Sequence, residues 1–555
     1  MARSGYDGTR VMRKFLLLCV VAFALIPASA HAQATDTNAT YFNDAAFPAA
    51  DPYVLHDPRS GYYYAYSTEG ADDGHYFGIY RSADLATWEK VDGGALPKDD
   101  PNQWGNDWFW APEVYFNPRT GNYFLFYAAR SDAHKLDRFG YADFEEPCKI
   151  GVAVSRSPAG PFHNIASHPI DYNPYDPEYH DVNLLMGPDQ KKPPATLAEG
   201  QTAPVGTYIP TIDPDVLFDQ GRIYLYFSRN AYRNWVWDTD LGKYIEESNI
   251  YAVELTTQWW DDPAGSTMPT ITPPYRGANE GRGGPVGPRR DGWVRILDYD
   301  HDKQAWENAD VNDYALTGGE KKDRRWEEGS TTLRWTDGRY YLTYSANNWE
   351  TPQYGVGYAV ADKPLGPFRK SPTNPVLSQN ASIGMYSTGH GSIAFSPDGS
   401  ELYYVHHGRP SPTDPQRRLY TERMNIFPNG LLTIDAATSD RPIPSGVAPY
   451  TLTASRRWVR LHSGSSKRIR WRVTSADGAR LALGNPLNRV DAKVADPSVA
   501  TIESKGARGA TLVAHGAGRT TLTLTYQREL ASGAYNDVYN GSRLVSVTIP
   551  VRVKG

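Results

Sequence analysis

Apolar and polar positions along most of this chain alternate in short bursts, and the bursts come in pairs split by a glycine. Tyr53-Val54-Leu55 is followed by Gly61 and then Tyr63-Tyr64-Ala65-Tyr66. The pattern returns around Gly121, Gly221, Gly338 and Gly399, each time with an aromatic second burst such as Tyr123-Phe124-Leu125-Phe126-Tyr127 or Tyr340-Tyr341-Leu342. Period-two alternation broken at a glycine predicts β-hairpins. Later segments also echo one another. Residues 150–155 lead to Gly160-Pro161-Phe162, and residues 356–361 lead to Gly366-Pro367-Phe368. Ile79-Tyr80-Arg81-Ser82, with Trp88 after it, takes the same place in the first unit. Five repeats of about four strands predict a five-bladed β-propeller over residues 40–440, with the first strand of each blade nearest the axis. Two insertions, 163–208 and 260–318, are rich in Pro, Gly, Asp and Tyr and read as loops over one face.

The repeat stops after Leu431-Leu432, and 441–449 reads as a linker. Beyond it, short alternating runs such as Ile469-Arg470-Trp471-Arg472-Val473 predict a small β-sandwich over 450–555, with Trp471 in its core. The expected fold class is therefore all-β, a propeller followed by a sandwich.

Three of the repeats open on an acid. Asp51 heads Asp51-Pro52-Tyr53-Val54, Asp213 heads Asp213-Pro214-Asp215-Val216, and Glu328 heads Glu328-Gly329-Ser330. Acids at the heads of repeated inner strands converge wherever the repeats converge. Converging carboxylates are the equipment for cleaving glycosidic bonds. Asp215 competes with Asp213, because strand alternation puts both on one face. Glu327 competes with Glu328, and Glu113, after Trp110-Ala111-Pro112, is a supporting acid. Asp219, Asp337 and Asp398 fall at hairpin turns and read as structural.

Composition narrows the classes. The 38 Tyr and 15 Trp suit both strands and sugar stacking. Trp104, Trp108, Trp110, Trp235 and Trp237 divide between pocket walls and core. A net charge of -6 gives no sign of a nucleic-acid binder. No phosphate loop, zinc-spaced Cys/His cluster or nucleophile elbow occurs. Arg13 and Lys14 precede the apolar run 15–26, and Ala28-Ser29-Ala30 follows, so residues 1–32 read as a signal peptide and no membrane span is expected. The mature chain is expected to begin near Gln33 and to be exported, periplasmic or extracellular. Cys19 lies in that signal, which leaves Cys148 alone as an inert core or loop thiol and allows no intrachain disulfide.

The order of Asp51-Pro52, Ser82-Ala83-Asp84-Leu85 with Trp88, Trp110-Ala111-Pro112-Glu113, Ile212-Asp213-Pro214, Glu328-Gly329 and Gly389-His390-Gly391 resembles glycoside hydrolase family 43, the five-bladed arabinosidases and xylosidases. The resemblance covers about 45–435. Ser330 departs from it, where Pro often follows Glu-Gly. The resemblance implies Asp51 as general base, Asp213 as the residue that orients and tunes the acid, and Glu328 as general acid. It implies inverting hydrolysis of arabinofuranosyl or xylosyl linkages in plant polysaccharide, with no cofactor needed for the chemistry. It also implies that His390 faces the central channel and helps hold a hydrated calcium ion. Trp108, Trp110 and Arg409 are expected to contact substrate, with Arg418 a further contact. The chain is expected to act as a monomer. Asp496-Pro497-Ser498-Val499 and Gly516-Ala517-Gly518 resemble a bacterial immunoglobulin-like module. Two rivals stand beside this reading: a non-catalytic carbohydrate-binding propeller and a retaining fructan-type five-bladed hydrolase.

Overall fold

The structure is a computed structural model. It describes residues 45–555 except 84, 86, 131–147, 171–191, 203–209, 230–234, 273–282, 285–286, 289–293, 298, 300–301, 397–401, 428, 436–449, 476–479, 481–482, 484–487 and 529–544. The signal peptide, Asp84, Asp398 and the 441–449 linker therefore lie outside the described residues.

Five sheets form the blades. The first runs Tyr53–His56, Tyr63–Ser67, Gly78–Ser82 and Trp88–Val91, each strand antiparallel to the last. The second is Asp107–Asn117, Asn122–Arg130, Cys148–Ser155 and His163–Asn164. The third is Ile212–Asp219, Arg222–Arg229, Lys243–Leu255 and Val294–Leu297. The fourth is Arg324–Arg334, Tyr340–Ala346, Gly355–Ala361 and Arg369–Lys370. The fifth is Tyr386–Phe395, Leu402–Arg409 and Arg418–Ile426. The first strand of each blade touches the first strand of the next, and the fifth touches the first, so these strands ring the axis.

The ring closes through the chain's beginning. Ala45–Pro48 pairs with Arg418 and Leu419 on the outer edge of the fifth blade, and Leu432–Asp435 covers the rest of that edge. Closure removes a row of unpaired backbone groups that would otherwise attract another chain.

The second insertion and the segments beside it do more than cover a face. Trp259 and Trp260 are fully buried and wedge between blades two and three, against Phe124, Phe126 and Phe218. Lys370 is buried between Glu307, from the short helix Ala305–Asn308, and Glu327. A parallel pairing of Glu246, Glu247 and Ser248 with Arg324, Arg325 and Trp326 joins blades three and four. These roles escaped sequence reading because Pro, Gly and Asp density reports turns and says nothing of the buried residues between them.

The C-terminal module is a β-sandwich. One sheet holds Tyr450–Ala454, Ser466–Ser475, Gly509–Ala514 and Ala500–Gly506; the other holds Val459–His462, Val545–Lys554, Gly518–Arg528 and Asn488–Val494. Ile469, Trp471, Val473, Leu512, Leu522 and Ile549 meet in its core.

Candidate active site

Every blade carries a residue of positive φ at the mouth of its inner strand: Asp51 (50°), Trp108 and Ala111 (55° and 48°), Asp213 (54°), Gly329 (59°) and His390 (35°). Pairing slips at the same places in blades two to five, between Trp110 and Glu113, Ile212 and Asp215, Glu328 and Thr331, and Gly389 and Gly391. A bulge rotates side chains out of strict alternation. A non-glycine residue held at positive φ costs roughly 1–3 kcal/mol, and such strain clusters where function needs it. Here it turns Asp51, Trp110, Asp213, Glu328 and His390 into one cavity of about 240 Å³.

Glycine is required at the bulge of the fourth blade. A Cβ on Gly329 would lie 2.6 Å from Cγ of His390, and its φ is left-handed as well. The amide of Gly329 donates to Oδ2 of Asp213 (3.2 Å), as does the hydroxyl of Ser228 (2.9 Å). Gly389 and Gly391 flank His390 for a similar reason. Added Cβ atoms there would meet Tyr354 at 2.2 Å and the Val405 carbonyl at 2.4 Å.

The three carboxyls sit in different fields. Burial pushes the Asp51 pKa up, but Arg417 and His390 overcome it and hold the group well below the usual carboxylate range. Nη1 of Arg417 donates to Oδ1 of Asp51 at 3.0 Å, and Nδ1 of His390 stands 3.3 Å from the same oxygen. The Thr68 hydroxyl donates to Oδ2 at 2.8 Å. Nδ1 of His407 accepts the Asp51 amide at 3.1 Å, consistent with an imidazole whose pKa burial drives down to about 3. Glu328 is the opposite case. Burial, then the Asp213 charge, raise it to about 7, while a 2.7 Å hydrogen bond from Tyr354 and the charge of His390 pull the other way. Asp213 is raised mainly by burial. His390 is raised to about 9: burial opposes its charge, but Asp213 and Asp51 more than offset that.

The competing acids separate cleanly. Glu327 is fully buried and pairs with Lys370 at 2.5 Å, while Glu328, its neighbour, lines the cavity. The slip between Ile212 and Asp215 breaks the alternation expected there. Asp213 lines the cavity and Asp215 does not; burial raises Asp215 to about 8. Glu113 is also away from the cavity wall, accepting from the Tyr115 hydroxyl. Asp219 and Asp337 serve their turns, accepting from Tyr340 and Tyr341.

Among the expected substrate contacts, Trp110 is a wall residue. Trp108 is not. It stacks behind Trp110 at 5.0 Å and carries the Arg130 guanidinium on its ring. Arg409 is also misplaced by the sequence reading. Its guanidinium is spent on the backbone carbonyls of Asp414 and Glu350, so it braces a loop. Arg418 faces Asp414 at 3.8 Å and lies outside the wall. Two arginines line the cavity, Arg417 and Arg324, neither of them expected there; the Arg417 guanidinium lies 4.5 Å from the Trp349 ring. Trp104 and Trp235 are core. Trp326, Trp349, Asp310, Asn347 and Asn348 complete the walls and were missed. Trp326 lies on the inner strand of blade four, two residues before Glu328; the others follow no repeat, and only the dense aromatic and amide run Asn347-Asn348-Trp349 hinted at them.

For the implied calcium, the chain offers few donors. Nδ1 of His390 faces Asp51, and among the described residues no group of three or more His, Cys, Asp or Glu side chains is arranged to hold a metal ion. Any such ion would depend on water for most of its shell.

The sequence pattern described as Glycosyl hydrolases family 43 matches residues 46–192 and 296–432. With the propeller and its carboxylate cavity in place, the chain belongs to glycosyl hydrolases family 43, and it is a glycosidase. A beta-D-galactofuranosidase, xynD, of Aspergillus niger is 44% identical over 82 residues, 15% of this chain and 23% of that protein's length. The solved structure of a thermostable family-43 glycoside hydrolase is 27% identical with a TM-score of 0.50, over 73% of this chain and 100% of that one. An endo-1,4-beta-xylanase structure from Bacteroides thetaiotaomicron is 26% identical with a TM-score of 0.47, over 72% of this chain and 98% of that one.

Proposed function

We propose that the protein is an exported, inverting glycosidase that releases arabinofuranosyl or xylosyl groups from plant cell-wall polysaccharide. Asp51 is the general base, Asp213 tunes and orients the acid, and Glu328 is the general acid. The observation that carries this reading is the split in acidity within one cavity: Asp51 driven well below, and Glu328 raised to about 7. Two carboxyls pushed apart by their surroundings mark out a base and an acid. Asp51, ionised, takes a proton from water as that water attacks the anomeric carbon. Glu328, protonated, gives its proton to the departing oxygen. Trp110, Trp326 and Trp349 line the cavity and are the side chains proposed to pack against the sugar.

The test combines a substrate screen with product stereochemistry. Nitrophenyl arabinofuranoside and xyloside are the expected substrates; a galactofuranoside is included because the Aspergillus relative bears that name. Inversion at the anomeric carbon, read by proton NMR, is expected; retention would defeat the proposal in favour of a double displacement. Asp51→Asn should lose ~100- to 10,000-fold in rate while folding normally. Near-normal turnover by that variant would exclude its role. Sequencing the exported protein's N-terminus tests export, and metal analysis after dialysis tests the proposed hydrated calcium at His390.

A further inference from the structure

The C-terminal sandwich departs sharply in charge from the rest of the chain. Residues 450–555 hold 17 Lys and Arg against 6 Asp and Glu, a net of +11 in a chain whose total is -6. Much of that charge is set in register on one sheet. Arg460 pairs with Arg552, and Arg552 pairs in turn with Arg519, so three arginines stand side by side across three strands. All three are exposed, on the face opposite the buried Leu461, Val551, Val553 and Thr520. Lys554, paired with His462, extends the row one step along the same face.

Like charges directly opposite one another destabilise a sheet. A ladder of three with no relief breaks a local rule, and such breaks mark function. Among the described residues no carboxylate pairs with Arg460, Arg519, Arg552 or Lys554, and Asp491, an acid of this sheet, is held by Lys505 at 2.5 Å. Trp458, two residues before Arg460, is 56% exposed, with the Arg460 guanidinium 4.7 Å from its ring. Thr521 and Thr523 continue the strand of Arg519 on the same face.

We propose that this face binds a carboxylate-bearing polysaccharide, a polyuronide. Neighbouring strands put the arginines about 4.8 Å apart, close to the length of one sugar unit. Each guanidinium presents a planar fork that matches a carboxylate with two hydrogen bonds. Trp458 supplies a ring face for a sugar, and the threonine hydroxyls supply partners for its hydroxyls. The register of the row, one planar fork per sugar-length step with hydroxyl partners beside it, is what favours an acidic sugar chain over a lipid headgroup or a nucleic-acid backbone. This surface goes beyond the hydrolytic reading and stands whether or not that reading holds.

The test uses the full-length protein at physiological salt, with binding to polygalacturonate, neutral arabinan, duplex DNA and phosphatidylglycerol vesicles measured side by side. Polygalacturonate should bind at least tenfold more tightly than each of the others. The triple variant Arg460→Thr, Arg519→Thr, Arg552→Thr should lose at least tenfold of that affinity, and Trp458→Ser a few-fold, with hydrolysis of the best nitrophenyl glycoside unchanged. Absence of polygalacturonate binding, equal binding by the triple variant, or equal affinity for DNA or vesicles would overturn the proposal. Should the triple variant not fold, Arg519→Thr alone, in a strand already rich in threonine, must weaken binding at least threefold.

Discussion

At Glu328, burial and the Asp213 carboxylate act together to keep a proton, and Tyr354 and His390 act against them. The Tyr354 hydroxyl donates to Oε1, which favours the ionised acid. Tyr354→Phe removes that preference, so the pKa of Glu328 should rise. A general acid works below its pKa, so the proposed mechanism loses rate as pH climbs through about 7 in the parent. In Tyr354→Phe the alkaline limb should move to higher pH, with the acid limb left in place because Arg417 still holds Asp51 ionised. A pH profile of kcat/KM decides it, and an alkaline limb that stays put or moves down would sink the assignment of Glu328. The acids themselves were legible in the sequence, because each heads a repeat. Their partners were not. Arg417, His407 and Tyr354 come from loops and second strands, where no spacing distinguishes a residue facing the cavity from one bracing a loop, and so Arg409 was chosen where Arg417 stands.

The element that makes the site is the bulged inner strand. Hydrophobic alternation correctly located these strands and their glycine turns. It also put Asp213 and Asp215 on one face, because an unbroken strand would. The slip between Ile212 and Asp215 separates them, and a one-residue slip is invisible to a pattern of period two. The motifs Glu328-Gly329 and Gly389-His390-Gly391 carried the readable traces, since a glycine inside a strand often marks a bulge or close approach. Gly329→Ala tests this directly. The new methyl would meet the His390 ring at 2.6 Å and sit at a φ of 59°. The ring must then shift, and with it the charge that helps hold Asp51 down. Loss of activity should be at least tenfold, with the acid limb of the pH profile moved upward, while far-UV circular dichroism stays near that of the parent. Full activity with an unchanged profile would show that the bulge tolerates a side chain and that His390 does not depend on it.

For the whole molecule, closing the ring and equipping the base are one event. The strand Ala45–Pro48 pairs with Arg418 and Leu419, and the Ala49 amide donates to the Arg417 carbonyl at 3.0 Å. Phe47 stacks on Tyr80 at 3.9 Å and so ties the closing strand to the first blade. Asp51 follows two residues after Ala49, and the same Arg417 reaches back to its carboxylate. A chain begun at residue 49 would lose the edge pairing and the Phe47 contact. A backbone hydrogen bond contributes about 1 kcal/mol net, and burying a phenylalanine side chain about 1.5–3 kcal/mol. The loss should therefore be roughly 2–4 kcal/mol, enough to lower the urea midpoint measurably. Because Arg417 is held through the same seam, activity should fall at a lower urea concentration than the bulk fluorescence of the 15 Trp. Parallel urea curves for activity and fluorescence, in the truncated and parent chains, settle the matter. A truncated protein with the parent's midpoint, and with activity lost only as the whole molecule unfolds, would mean the seam is incidental to the site.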